Sequence, residues 1–409
     1  MEKKKRINKI GIVIFVLVLI TTNALTFFAT RYLPVLTGKS IIISTDDKTS
    51  ASYINKLLYL KEQLMNNSYY NDQFTEENLW DGALNGLMAG TGDKYAYYFN
   101  ETETTAYKEE SSGSYVGIGV VVGNNDDGNI EVTKVFSGSP AEAAGIQAGD
   151  VIVSADDNSL IGVAVEYGVT LIKGEAGTTV KIGVQRGTEA LSFDIVRAKI
   201  TYTYVDHELL DNGIGYIHIY QFAENTKDEF DAALTALQAQ GAKGIIIDLR
   251  QNPGGLVTQA LDIADELLPQ CDMMYTVDTN GNQVMESSDA NSLGLPVAVL
   301  IDEYSASASE ILSVALKVND GAVFVGETSY GKGIIQTVMP MITDKTMFKY
   351  TVYEYFGADG TKVQGVGITP DYTVEKGEAY DKMLVENIPH DQDAQLQKAI
   401  QIMQAEIGN

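Results

Sequence analysis

Two runs of consecutive apolar residues, Gly244-Ile-Ile-Ile-Asp-Leu249 and Pro296-Val-Ala-Val-Leu-Ile301, narrow the folds open to this chain more than any other feature. A strand with one face in water alternates apolar and polar residues, so a run without alternation suits a strand buried on both faces. Each run leads through a turn into apolar residues at helical spacing. Asn252-Pro-Gly-Gly255 precedes a helix over 256–268, and Ser305-Ala-Ser-Ala-Ser-Glu310 precedes one over 306–316. The pattern is α/β. At 409 residues and 45% hydrophobic content the chain can fill several cores, and a prior of about 100–200 residues per domain gives two to four of them.

The second turn presents Ser307 at a helix start, where backbone N–H groups and the helix dipole favour a developing oxyanion. Serine is a weak nucleophile until a base removes its proton. Ser307 to Glu310 also fits the capping box S-x-x-E, in which the serine only satisfies orphan amides. Lys332, in Gly331-Lys-Gly-Ile-Ile-Gln336, follows a short strand at 323–325 and a glycine-bounded loop and precedes a β-rich run over 334–338. A lysine held neutral in a dry pocket can serve as the base, and under the two-residue period Gln336 shares a face with Lys332 and can orient it. Gly326 to Lys332 also spells the phosphate cradle G-x-x-x-x-G-K. That reading fails at Gly333, where a hydroxyl should ligate magnesium, and at the β-branched run that replaces a helix. An ordinary surface lysine is the third reading.

These motifs, with Asp248-Leu-Arg-Gln-Asn-Pro-Gly-Gly255 upstream, resemble the carboxy-terminal processing peptidases, also called tail-specific proteases, from about residue 50 to the end of the chain. The resemblance implies a ClpP/crotonase-like peptidase core, with Ser307 as nucleophile, Lys332 as general base and Gln336 as its partner. It implies an oxyanion hole made by the Ala308 amide and that of Gly254 or Gly255. No cofactor is implied. No metal is expected either, since His207, His218 and His390 lack ligand spacing. Two alternatives stand beside it: a Ser-His-Asp hydrolase using Asp206-His207, His218 lying in an apolar strand, and an inactive scaffold that only presents a binding module.

That module is read over 103–199, where short strands at Val116-Gly-Ile-Gly-Val-Val-Val122, 130–135, 151–153 and 180–184 resemble a PDZ domain in circularly permuted order. Ser139-Pro-Ala-Glu-Ala-Ala-Gly145 is its short helix. Gly117, Ile118 and Gly119 match its carboxylate loop, whose amides can form an anion nest while the adjacent edge takes a peptide as an added strand. Glycines in strands also mark bulges. The expected partners are polypeptides with exposed C-terminal tails.

Lys3, Lys4, Lys5, Arg6 and Lys9 precede an uncharged apolar stretch from Ile10 to Phe28. Nineteen residues can span a bilayer. The stretch is longer than the apolar region of a cleaved signal peptide, so an uncleaved single-pass anchor is expected, with the basic end cytoplasmic and the catalytic part outside the cell membrane. A net charge of −26 makes nucleic acid an unsuitable partner. Cys271, the single cysteine, reads as a half-buried structural thiol.

Helices over 53–65 and from Thr75 through Met88 form a small helical region. It closes with Asp93-Lys-Tyr-Ala-Tyr-Tyr-Phe99, where lysine replaces the proline usual in the family. Trp80 reads as a core or interface residue. The segment Asp359 to Asp371 reads as structural turns, and Leu396, Ala399, Ile400, Met403 and Ile407 give a terminal amphipathic helix with Asp391 and Asp393 near its start. That helix packs on the core or on a second subunit, which leaves a homo-oligomer open. The expected order is a tail and anchor (1–30), a linker and helical region (31–102), the PDZ domain (103–199), the peptidase core (200–375) and a C-terminal helical segment (376–409).

Overall fold

The apolar run at 244–249 becomes the third strand of a six-stranded sheet in the computed structural model, which describes residues 48–408 apart from 126, 343, 378, 381 and 382. In spatial order the strands are β1 (Val205–Leu210), β2 (Ile214–Ile219), β3 (Gly244–Asp248), β4 (Val297–Ile301), β5 (Val323–Gly326) and β6 (Tyr372–Thr373). β1 runs antiparallel to β2, and all later neighbours are parallel. Every residue of β2, β3 and β4 is buried, which is why their sequences do not alternate.

Ile217, Ile247 and Val299 stand in register on one face. There they meet helices α1 (Thr226–Ala239), α2 (Val257–Leu267) and α3 (Ala308–Val318), through side chains such as Phe230, Ile263, Ile311 and Ala315. Tyr216, Ile246, Ala298 and Leu300 face the other way, toward Leu396, Ala399 and Met403 of α4 (Ala394–Ile407). The terminal helix therefore packs on the core sheet. Full burial of Leu396 and Met403 contributes roughly 1.5–3 kcal/mol apiece.

The described chain divides into two compact units, one of residues up to 100 with 338–349, the other of 101–337 with the remainder. In the first, helices Lys48–Asn67 and Glu76–Ala89 meet as expected: the Lys61 ammonium sits 2.6 Å from Glu76 and 5.7 Å from the centre of the Trp80 ring. Thr75 caps the second helix in a reciprocal exchange with Asn78. Tyr97–Phe99 pairs antiparallel with residues 347–349. The expected anchor and cytoplasmic tail lie outside the described residues, among which no helix is long and apolar enough to cross a membrane.

The second unit holds the core sheet and the β-module. Strands Val120–Asn124, Ile130–Val135, Val151–Ala155, Thr179–Arg186 and Glu189–Val196 form an antiparallel sheet around Ile130, Val132, Ile152, Val180, Ile182 and Val184. The helix Pro140–Ala144 starts at the Ser139 side chain, which accepts from the Glu142 amide, and ends at Gly145 in the left-handed region. One expectation needs correction. The single strand read over 116–122 is two: Ser114–Gly117 pairs with Ala198–Thr201 in a separate ribbon, and Val120–Asn124 opens the main sheet. The break falls at Gly119, whose φ is 87°, and a Cβ there would lie 2.3 Å from the Ser139 Cβ. Only glycine fits such a crossing.

Candidate active site

Strand β4 ends in a turn that fixes the serine run. Asp302 Oδ1 accepts the amides of Gln251 at 2.9 Å and Tyr304 at 3.0 Å, and burial pushes its carboxyl above the ordinary range. Ser305 donates its hydroxyl to Leu249 O at 2.8 Å, and Ser309 donates to Asn252 O at 3.0 Å. Both side chains are fully buried, and their hydroxyls are consumed by backbone carbonyls. Ser307 lies between them and is only partly buried. Its φ and ψ are 57° and −112°, a sparsely populated conformation for a residue with a Cβ and one that costs about 1–3 kcal/mol. An ordinary helix cap is extended, so Ser307 stands at the cap position of α3 without its usual backbone.

Glu310, one turn into α3, is completely buried. Its Oε2 accepts the Ser307 amide at 2.9 Å and the Lys332 amide at 2.8 Å, so the two nitrogens are at most 5.7 Å apart. Its Oε1 accepts the Gly331 amide and the Ser329 hydroxyl, each at 2.6 Å. The S-x-x-E spacing thus marks more than a cap: the carboxylate ties the serine turn to the loop that carries the lysine. Tyr355 closes the same space from the other side. Its hydroxyl lies 3.1 Å from Ser307 O and 2.9 Å from Lys332 O. Burial, reinforced by the nearby Glu310 charge, raises the phenol well above its usual value and keeps it a donor. Nothing local in the sequence points to Tyr355.

The lysine loop is shaped by its glycines. Gly331 has φ 85° and presses against the backbone of residues 365–367, while a Cβ at Gly333 would lie 2.2 Å from the Gln364 amide nitrogen. The segment expected as structural turns is what they pack against. A strand, Ile334–Pro340, follows Lys332 where a phosphate cradle requires a helix, which removes the nucleotide reading. Because that strand starts at Ile334, Lys332 precedes it. Gln336 lies within it and donates to Thr351 Oγ1 at 3.2 Å.

The turn after β3 approaches Ser307 from below. A Cβ on Gly254 would lie 2.8 Å from both the Ala308 nitrogen and the Ser307 Cβ, so its absence keeps the space beside the Ala308 amide open. Gly254 donates its amide to Asn252 Oδ1 at 2.9 Å. For the amides of Gly255 and Ala308 no acceptor stands among the described residues. Asn252, fully buried, also donates to Ile219 O at 2.7 Å and accepts the Ala306 amide at 3.1 Å, joining three segments of the site. Behind the turn, Arg250 forks between Asp248 and Asp393 and reaches Gln395 at 2.9 Å. Burial alone would raise the Asp248 carboxyl, but the Arg250 charge and hydrogen bonds hold it below its ordinary value. Asp393 also caps α4, accepting the Leu396 amide at 3.0 Å.

The remaining candidates separate from this cluster. His218 is buried with its ring 4.1 Å from that of Tyr220, and no hydrogen bond links it to Ser307 among the described residues. His207 is exposed on β1. Cys271 is half-buried, its sulfur 3.3 Å from Ser288 Oγ. Gly117 and Ile118 border a largely apolar cavity of about 310 Å³ in the β-module, lined also by Tyr115, Val120, Val169, Ile172 and Lys173; Gly119 is not among its lining residues and packs against Ser139 instead.

Against known families, residues 213–374 match the model for peptidase family S41 and residues 115–196 that for a PDZ domain. The carboxy-terminal processing protease CtpA of Bacillus subtilis (strain 168) is 35% identical over 368 residues, covering 88% of this chain and 77% of that protein. A probable CtpA-like serine protease of Staphylococcus haemolyticus (strain JCSC1435) is 34% identical, covering 87% and 70%. Among solved structures, a photosystem II D1 C-terminal processing protease is 28% identical with a TM-score of 0.44, covering 73% of this chain and 82% of that one.

Proposed function

The chain belongs to the carboxy-terminal processing serine proteases of peptidase family S41 and carries a PDZ domain, and from that premise we propose that it cleaves polypeptides through a Ser307–Lys332 dyad. The uncharged Lys332 amine takes the Ser307 proton as the oxygen attacks the scissile carbonyl. The Ala308 amide and a glycine amide of the 254–255 turn hold the oxyanion. The lysine then protonates the leaving amine, water resolves the acyl-enzyme, and Gln336 orients the lysine. Gly255 is the better second donor, since the Gly254 amide is already given to Asn252.

One observation carries this reading: a single buried carboxylate, Glu310, holds the amides of both Ser307 and Lys332. The consumption of the Ser305 and Ser309 hydroxyls supports Ser307 as the nucleophile of the run. The PDZ loop Gly117-Ile118-Gly119 captures an unstructured apolar C-terminal tail, a role supported by the apolar cavity that Gly117 and Ile118 line. The basic cluster before Ile10 and the uncharged stretch to Phe28 support an uncleaved anchor that leaves the protease outside the cell membrane.

The test incubates the wild type, Ser307→Ala and Lys332→Ala with an unfolded protein ending in an apolar tail and with the same protein lacking that tail. Cleavage by the wild type alone, slower without the tail, is expected. Cleavage by either alanine variant sinks the dyad, and equal rates with and without the tail sink the PDZ role.

A further inference from the structure

Tyr355 lies 48 residues beyond Ser307 and 23 beyond Lys332, yet its hydroxyl rests between the carbonyls of both. We propose that Tyr355 is a positioning residue of the peptidase, holding the Ser307 and Lys332 peptide units at a fixed spacing from their carbonyl side as Glu310 does from their amide side. The proposal rests on the Ser307–Lys332 reading above.

A buried phenol needs only one acceptor. Here Ser307 O already receives the amides of Glu310 and Ile311, so the helix does not need the tyrosine to satisfy that carbonyl. The hydroxyl carries one proton, which makes the contacts a bifurcated bond with the stronger arm to Lys332 O at 2.9 Å. The same residue's amide donates to Gly333 O at 3.0 Å, so side chain and backbone grip two consecutive carbonyls of the lysine loop, those of Lys332 and Gly333. Ser307 has reason to need such a restraint. Its backbone sits at φ 57°, and rotation toward the extended region would relieve strain while changing where its hydroxyl points. Glu310 on the amide and Tyr355 on the carbonyl oppose that rotation from its two ends. With its proton kept by burial, the phenol acts as a donor and takes no part in proton transfer.

Tyr355→Phe removes the oxygen and keeps the ring, and it is compared in the full chain with the wild type and Lys332→Ala. The readouts are kcat and KM on a tail-bearing substrate, thermal midpoint, and affinity for a fluorescent apolar tail peptide. Misplacing reacting groups lowers kcat, so the expected result is a fall on the order of tenfold in kcat with KM within about twofold of wild type. Peptide affinity and melting should stay close to wild type. A Tyr355→Phe enzyme with wild-type kcat beside a dead Lys332→Ala overturns the clamp and leaves the dyad standing. An active Lys332→Ala overturns the dyad, and the clamp with it. If kcat, peptide affinity and melting all fall together, the tyrosine only supports the fold, and the proposal fails.

Discussion

Replacing Glu310 by glutamine changes one atom in a pocket where four donors converge. A glutamine has one acceptor oxygen and one NH₂ group. Placed to serve the Ser307 and Lys332 amides, its oxygen leaves the NH₂ facing Gly331 N–H and the Ser329 hydroxyl. Ser329 can turn its proton away and accept. Gly331 cannot, so one buried N–H is orphaned and two bonds lose their charge assistance. At about 1–3 kcal/mol for the orphan and a further ~1 kcal/mol for the weakened pair, the cost is roughly 2–4 kcal/mol. For a core of this size that corresponds to a fall on the order of 10 °C in its thermal midpoint. Calorimetry reads the midpoint, hydrogen exchange over residues 326–336 reads the loosened Gly331 amide, and steady-state kinetics reads a drop in kcat. A Glu310→Gln enzyme that melts within about 2 °C of wild type with unchanged exchange and turnover would refute the view that the carboxylate joins the two halves of the site.

Gly254→Ala should place a methyl 2.6 Å from Ala306 O and 2.8 Å from the Ala308 nitrogen at φ 103°, filling the oxyanion space and lowering kcat on the order of a hundredfold with KM little changed, as measured by steady-state kinetics. Arg250→Met leaves Asp248 and Asp393 buried without their cation, and denaturant unfolding should register a loss of about 3–5 kcal/mol. Because the folded Asp248 carboxyl sits below its ordinary value of 3.8, its contribution is present above that pH and is lost as the pH falls through the folded value; wild-type stability should drop steeply only below about pH 4. Gly119→Val meets the Ser139 Cβ and should abolish binding of a tail peptide while sparing hydrolysis of a small activated ester; loss of both activities together would count against a separate tail-binding loop.

The parts legible in the sequence are those written in short-range pattern. The runs at 244–249 and 296–301 announced doubly buried strands because apolar residues replace alternation, and the strand-to-helix turn that carries Ser307 is where the spacing puts it. The sequence spacing places the helix start at 306, whereas it begins at Ala308, since the positive φ of Ser307 delays it. Valine and isoleucine make the stretch over 116–122 look like one continuous strand; the crossing against Ser139 that forces Gly119 to break it is a contact no local period reports. Glu310 was visible only as the end of a capping box, because three of its four donors come from segments it does not neighbour in sequence. Tyr355 left no trace for the same reason. The 143-residue span that joins Arg250 to Asp393 is equally invisible to local pattern, since it depends on the docking of the terminal helix on the core sheet.

The twisted backbone at Ser307 has a consequence for anyone engineering this protease toward ruggedness. Glycine would escape the strain of about 1–3 kcal/mol and lose only about 0.5–1 kcal/mol to the greater freedom of its unfolded chain, so Ser307→Gly should melt higher than the parent while doing no chemistry. Screens that reward heat tolerance alone will therefore drift toward inert proteins, and selection must keep scoring cleavage to stay on course.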